Sequence, residues 1–178
     1  GPDETKSSLT LAQGAKQEKL AYRKDFITSI DPERPETSLN APLVYAGFGV
    51  TAPEKGYDDY RDIDVRGRIV LVMKHEPGEK DSTSLFDGVK ETTHSLLATK
   101  VSNARKHGAA GLLLVTDPLN HLLLTPQGYP WPGLSKFLPS DNLPVELARK
   151  SGSIPIVQVG ESVIKILFGS VDSLKNIQ

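Results

Sequence analysis

Three short, continuous apolar segments constrain the fold of this chain more than any other feature. They cover residues 68–73, 109–117 and 154–159, and each is almost wholly apolar. A half-buried strand alternates apolar and polar residues, whereas an uninterrupted run of this length is typical of a strand covered on both faces. The sequence therefore predicts three buried strands that form the centre of the core.

A helix is predicted directly before the second of these segments. Apolar residues recur at spacings of four and three over residues 97–104, which is the pattern of one helix face. Thr93 or Ser95 is the expected N-cap, and Gly108 supplies a left-handed stop. Helix, glycine turn and strand then make one compact unit.

The remaining segments are shorter or more polar. Residues 41–50 combine Val and aromatic residues with two glycines, which predicts a further strand. Residues 51–62 are expected to form a polar loop. Residues 118–144 are rich in Pro and Gly, and a structureless stretch of this length in a compact domain is often functional or mobile.

The chain is expected to be a single domain. Its 178 residues are enough for one core of ordinary size. We place the domain at residues 9–178, with its core at 41–170, and expect 1–8 to be a disordered tag or linker. Gly1-Pro2 is typical of a cloning remnant, so the lack of a signal peptide in this stretch is uninformative.

Composition excludes several classes of partner and site. The 21 basic and 22 acidic residues give a net charge of -1, so there is no electrostatic reason to expect nucleic acid or an anionic membrane. No apolar run approaches the ~18 residues that span a bilayer. The chain has no cysteine, which excludes disulfides, thiolate metal sites and thiol catalysis.

The sequence lacks the usual catalytic motifs. A two-zinc peptidase needs converging His, Asp and Glu ligands, which commonly appear as a His-x-Asp pair and adjacent glutamates. None of the four histidines has Asp two residues later, and no Glu-Glu pair occurs. A Gly-x-Ser-x-Gly elbow is also missing, and Gly47-Phe48-Gly49 lacks the third glycine of a phosphate loop. We therefore predict no catalytic residue and no metal ligand in this chain.

Two segments carry the predicted binding residues. Rigid aromatic side chains on loops are favoured contact residues, although they also serve as staples that pack a loop onto a core. Both interpretations stay open for the second segment. The candidates are Tyr57, Asp58, Asp59 and Tyr60 in the first segment, and Tyr129 and Trp131 in the second.

Four carboxylates near the first segment admit a further interpretation. Asp58, Asp59, Asp62 and Asp64 fall within seven residues and could hold a hard cation such as calcium. The spacing does not match an EF-hand loop. The alternative is a solvated loop whose aspartates cap turns and pair with neighbouring arginines.

Three blocks, in this order, resemble the protease-associated (PA) domain that is inserted in secreted zinc aminopeptidases and their glutamate-carboxypeptidase and transferrin-receptor relatives. The first runs from Leu43 to Pro53 and on through Tyr57-Asp58-Asp59-Tyr60 to residues 63–72. The second is the helix, glycine turn and strand at 100–117. The third is the strand at 154–159 with the helix that follows it. The resemblance covers about residues 41–170.

The resemblance implies an α+β fold of the swivelling β/β/α type, with small curved or barrel-like β-sheets flanked by a few helices. It implies a non-catalytic accessory domain of a metallopeptidase, a hydrolase whose catalytic domain lies elsewhere in the same parent chain and holds the zinc. Such a domain shapes substrate access or contacts peptide or protein substrates, without nucleic acid and without membrane insertion. It also implies a secreted or periplasmic protein.

Two alternatives remain open. PA domains also occur in sorting receptors that hold cargo peptides, so the chain could be a stand-alone peptide-binding module whose contact surface is the loop of Trp131. An unrecognised hydrolase or a calcium-binding protein is the third interpretation.

Overall fold

The computed structural model describes residues 5–28, 36–126 and 154–178. Strands dominate the first half of the described chain, and the helices follow the central strands. In chain order these elements are β1 (Leu9–Gln13), β2 (Lys16–Leu20), β3 (Phe26–Thr28), β4 (Leu43–Tyr45), β5 (Thr51–Ala52), a 3-10 turn (Pro53–Lys55), β6 (Tyr57–Asp58), β7 (Ile69–Met73), α1 (Leu97–Lys106), β8 (Gly111–Val115), β9 (Ile156–Val159), α2 (Glu161–Phe168) and α3 (Val171–Lys175).

A five-stranded sheet in the order β3-β9-β8-β7-β4 forms the centre of the molecule. Strands β4, β7, β8 and β9 are parallel to one another, and β3 pairs antiparallel with β9 at one edge. The hairpins β1-β2 and β5-β6 form two further small sheets. The predicted α+β fold, with small sheets and a few helices, is confirmed.

Side chains of the central strands alternate between two cores. Val70 and Val72 of β7 belong to one core, together with Ala104 of α1. Leu71 and Met73 belong to the other, which α2 and α3 cover. Because both faces of the sheet are covered, these strands need no polar position, as the apolar runs predicted. Each buried aliphatic side chain contributes about 1.5–3 kcal/mol of stability relative to exposure.

Helix α1 ends as predicted but begins differently. Gly108 has φ 84°, and the turn that it forms lets the chain enter β8 within three residues. Leu96, not Thr93 or Ser95, is the N-cap, and no side chain caps this end. The Ser95 hydroxyl instead donates to the carbonyl of Thr92, so it stabilises the turn before the helix.

The predicted strand at 41–50 is wrong in its second half. Strand β4 ends at Tyr45, because Gly47 and Gly49 adopt φ 48° and 67° and turn the chain away from the sheet. The predicted polar loop at 51–62 contains the short hairpin β5-β6.

Candidate functional site

The carboxylate of Asp59 lies at the centre of the turn that follows β4. Its Oδ2 accepts hydrogen bonds from the backbone N–H groups of Phe48 (3.1 Å) and Val50 (2.9 Å), and its Oδ1 accepts one from the Tyr57 hydroxyl (2.8 Å). Burial raises the pKa of Asp59, although these hydrogen bonds and the charge of Lys100 oppose the rise. A single side chain therefore fixes the shape of residues 46–50.

Close packing requires both glycines of this turn, each against a different neighbour. A Cβ on Gly47 would lie 2.4 Å from Oδ1 of Asp59, and a Cβ on Gly49 would lie 2.8 Å from Cγ1 of Val72. Both positions also have positive φ, which side chains other than glycine rarely adopt. Gly47 thus lets the backbone close around the Asp59 carboxylate, and Gly49 lets it pack closely against Val72.

Lys100 connects helix α1 to two loops. Its side chain is buried, and Nζ donates to the carbonyls of Phe48 and His75, each at 2.6 Å. Burial lowers the pKa of Lys100 to about 8, against the opposing charges of Asp59, Glu76 and Asp117. The ammonium group replaces its hydration with carbonyl oxygens and so ties both loops to the helix.

A second group of polar side chains lies just beyond the ends of β7 and β8. The strand-end cluster comprises His75, Glu79, Asp117 and His121, whose ligand atoms all lie within 4.8 Å of one another. Because Met73 is paired with Val115 in register, His75 and Asp117, two positions beyond the ends of these strands, also meet. His75 Nδ1 lies 2.6 Å from Asp117 Oδ2, and His121 Nε2 lies 2.8 Å from Glu79 Oε2.

Further contacts hold the cluster in place. Oδ1 of Asp117 accepts hydrogen bonds from the Asn120 N–H and from the side-chain amide of Gln178, both at 3.3 Å. Lys80 Nζ donates to the carbonyl of Asn120 and so links the two loops. Burial acts to raise the pKa of Asp117, but the hydrogen bonds from His75 and Gln178 outweigh it and lower that pKa.

The family is shown by a sequence match that includes both Asp59 and the strand-end cluster. The family model of the PA domain matches residues 39–167. This chain belongs to the PA domain family. No curated protein matches its sequence.

Two solved structures of BSAP, a zinc aminopeptidase from Bacillus subtilis, resemble this PA domain. Sequence identity is 17% in both cases, with TM-scores of 0.43 and 0.42. The similarity covers 89% and 90% of this chain but 27% of each BSAP chain. The chain therefore spans about a quarter of the length of those structures.

The PA domain brings the first group of predicted binding residues together around β6. Asp59 is engaged by the turn at 46–50, and Asp58 Oδ1 accepts from the Thr51 hydroxyl and from the N–H of Tyr60. Tyr60 is buried and stacks on His107 at 4.3 Å. Burial raises the pKa of Tyr57 and of Tyr60. Of these four side chains, Tyr57, Asp58 and Asp59 are partly exposed, and Tyr60 is buried.

The other predicted residues have different outcomes. Tyr129 and Trp131 lie outside the described residues. Asp58, Asp59, Asp62 and Asp64 do not converge: within 5–28, 36–126 and 154–178, the strand-end cluster is the group of His, Asp and Glu side chains that meets metal-ligand spacing.

The strand-end cluster is not predicted when each histidine is considered alone. A signal was present in the two segments His75-Glu76-Pro77-Gly78-Glu79 and Asp117-Pro118-Leu119-Asn120-His121. Each follows a buried strand, and each carries its two metal-ligating types four residues apart.

An open groove and exposed leucines adjoin this cluster. The groove, of about 410 Å³, is lined by Lys74, Thr116, both cluster histidines and the two leucines after His121. Those leucines, Leu122 and Leu123, are 98% and 69% exposed, and Leu119 is 60% exposed. Within the described ranges, no helix has the length and apolar character needed to cross a membrane.

Proposed function

We propose that this PA domain is a non-catalytic part of a longer zinc aminopeptidase-type metallopeptidase, where it binds protein or peptide and so shapes substrate access. The match of the PA family model to residues 39–167 carries this proposal. The aminopeptidase context rests on the resemblance of residues 43–72 to the PA domains of such enzymes. We further propose that the longer protein is secreted or periplasmic.

The use of the polar side chains supports an accessory role. Asp59 and Lys100 are engaged by backbone groups of the turns that they hold. A general base or nucleophile must instead reach a substrate within hydrogen-bonding distance. The hydrogen bonds of Asp59 and Lys100 therefore have a structural role: they stabilise the turns of this domain.

The apolar surface at the end of β8 supports a binding role. Leu119, Leu122 and Leu123 are all more than half exposed on one loop. Single exposed apolar side chains are common, but several on one loop beside a groove are typical of a contact surface. We propose this loop as the part of the domain that meets peptide or protein.

Binding to an array of unstructured peptides tests the proposal. The wild-type chain is compared with a variant that carries Leu122→Ser and Leu123→Ser. The variant should lose at least about tenfold in affinity, because burying each leucine on binding is worth roughly 1.5–3 kcal/mol. A matched control is Leu39→Ser, since Leu39 is also exposed but contacts the start of β8 at Gly111, the opposite end of the strand. Equal affinities of wild type and double variant would contradict the proposal.

A second candidate is a stand-alone cargo-binding module of a receptor-like protein. It would use the same surface, together with the segment that contains Trp131. The sequence that flanks the domain in its gene separates the two candidates. A His-x-Asp pair and adjacent glutamates favour the peptidase, whereas a membrane-spanning segment favours the receptor. Peptide binding that survives Trp131→Ala would count against a contact by that residue.

A further inference from the structure

We propose that His75, Glu79, Asp117 and His121 bind one zinc ion, which joins the loop after β7 to the loop after β8. The proposal concerns residues of this chain alone and is independent of any catalytic zinc elsewhere in a longer protein.

The spacing of the ligand atoms fits a tetrahedral ion. Zinc bonds to nitrogen and oxygen of about 2.0–2.2 Å place neighbouring ligand atoms about 3.3–3.6 Å apart in a tetrahedron. His121 Nε2 lies 3.4 Å from Asp117 Oδ2, and His75 Nδ1 lies 3.7 Å from Glu79 Oε2. The two shorter contacts, 2.6 and 2.8 Å, join each histidine to a carboxylate and need to open by about 1 Å or less to reach that spacing.

The ligand types favour zinc over calcium or magnesium. Two imidazoles suit zinc and its neighbours among the transition metals, whereas calcium and magnesium take oxygen ligands. Two carboxylates with two neutral imidazoles carry a charge of -2, which one divalent cation neutralises. Four protein ligands complete a tetrahedron, so the site is of the closed, structural kind.

The site is largely formed before an ion enters. The Asp117 side chain is 1% exposed, and its Oδ2 is directed at the histidines while Oδ1 is held by Asn120 and Gln178. Hydrogen bonds from neighbouring groups to a metal-binding carboxylate fix its orientation. His75 has φ 62°, an unfavourable conformation for a non-glycine residue, and Lys100 holds its carbonyl. The backbone thus directs this imidazole toward Asp117.

Ordinary ion pairing is the alternative explanation, and the chain contains an example of it. His94 Nε2 lies 2.9 Å from Glu54 Oε1, and among the described residues no further ligand atoms join this pair to make a metal site. The strand-end cluster differs because both histidines contact both carboxylates within 4 Å, so that four ligand atoms lie within 4.8 Å of one another. The two imidazole rings stack at 4.0 Å, and zinc binding requires them to tilt toward a common point.

Calorimetric titration of the EDTA-treated, dialysed chain with zinc chloride tests the proposal. We expect one zinc per chain with a micromolar or lower dissociation constant, and no comparable heat with calcium or magnesium. Cobalt(II) should give the intense visible absorption of a tetrahedral ion, and zinc should bleach it. Zinc should also raise the Tm of the chain.

Two variants and one control assign the ligands. His121→Ala and the nearly isosteric Glu79→Gln should each weaken zinc binding at least about tenfold, because even second-shell changes cost about 10–100-fold. Both residues are partly exposed, and Glu79→Gln preserves side-chain volume if the alanine variant fails to fold. His94→Ala removes a histidine from the ion pair outside the cluster and should bind zinc like wild type. Absence of zinc binding, equal binding by Glu79→Gln, or a preference for calcium would overturn the proposal.

Discussion

Nδ1 of His75 lies 2.6 Å from Oδ2 of Asp117, although 42 residues separate the two in the sequence. The contact follows from the parallel register of β7 and β8, which pairs Met73 with Val115. Each residue is the second beyond its strand, so the sheet itself sets their distance. The position of the strand-end cluster therefore depends on the pairing of β7 with β8 in the central sheet.

The amide of Gln178 is expected to position Asp117 for zinc. Gln178→Ala removes a hydrogen bond to Oδ1 of Asp117, which frees the carboxylate to rotate, so zinc affinity should fall by about tenfold. Gln17→Ala, at an exposed position on β2, serves as the control. Calorimetric titration of both variants measures the difference, and unchanged affinity in Gln178→Ala would contradict the positioning role.

Removing the Asp59 carboxylate should destabilise the domain. Asp59→Ala leaves the N–H groups of Phe48 and Val50 and the hydroxyl of Tyr57 without their acceptor. The expected cost is about 2–4 kcal/mol in the free energy of unfolding, measured by urea denaturation. Asp62→Ala, at an exposed position, should change that free energy by less than about 0.5 kcal/mol. Similar values for both variants would show that Asp59 does not organise the turn.

The cost of a Cβ clash at Gly47 can be measured separately from the cost of placing a side chain at positive φ. Gly47→Ala and Gly56→Ala both introduce a side chain at positive φ, but a Cβ on Gly56 meets no atom of the described residues within 4 Å. The φ penalty of about 1–2 kcal/mol is common to both. Gly47→Ala should cost at least about 1 kcal/mol more, because its Cβ displaces the Asp59 carboxylate. Thermal or urea unfolding gives the comparison, and equal losses would disprove the close approach.

Buried Lys100 should make the domain more stable as the pH rises above 8. Its pKa is about 8 in the fold and about 10.4 when unfolded, so between these values the unfolded chain binds more protons and stability increases with pH. From pH 8 to 9.5 the free energy of unfolding should rise by about 1–2 kcal/mol. Lys74, whose pKa burial also lowers, adds in the same direction.

Lys100→Met isolates that contribution, since the Lys74 effect remains in the variant. Urea denaturation at several pH values between 7.5 and 9.5 should show a smaller rise for Lys100→Met than for wild type. Measurements stay below pH 10, because ionisation of tyrosines in the unfolded chain then reduces stability: burial raises the pKa of Tyr45, Tyr57 and Tyr60 in the fold. Parallel pH profiles would contradict the lowered pKa of Lys100.

Local patterns were sufficient to predict the central elements. The apolar runs at 68–73 and 109–117 became β7 and β8, and Gly108 ends α1 as its position indicated. These features depend on residues close in sequence and on burial of both sheet faces. The strand predicted through Val50 failed because the turn at Gly47 is stabilised by Asp59, a contact that no local pattern contains.

The candidate sites were harder to predict for the same physical reason. The sequence indicated the polar and aromatic run Tyr57–Tyr60 as a candidate binding segment. The role of Asp59 depends instead on its hydrogen bonds to a turn about ten residues earlier. The strand-end cluster depends on strand order and register, which bring His75 and Asp117 side by side. The spacing in the sequence could indicate the pair His75 and Glu79 and the pair Asp117 and His121. It could not show that the two pairs lie side by side.

Hydrolysis of leucine 4-nitroanilide by the purified chain, with and without added zinc, tests the central claim most directly. A non-catalytic PA domain should give no turnover above buffer under either condition, even when zinc is bound at the strand-end cluster. Zinc-dependent turnover that disappears in His121→Ala would contradict the claim and make that cluster an active site.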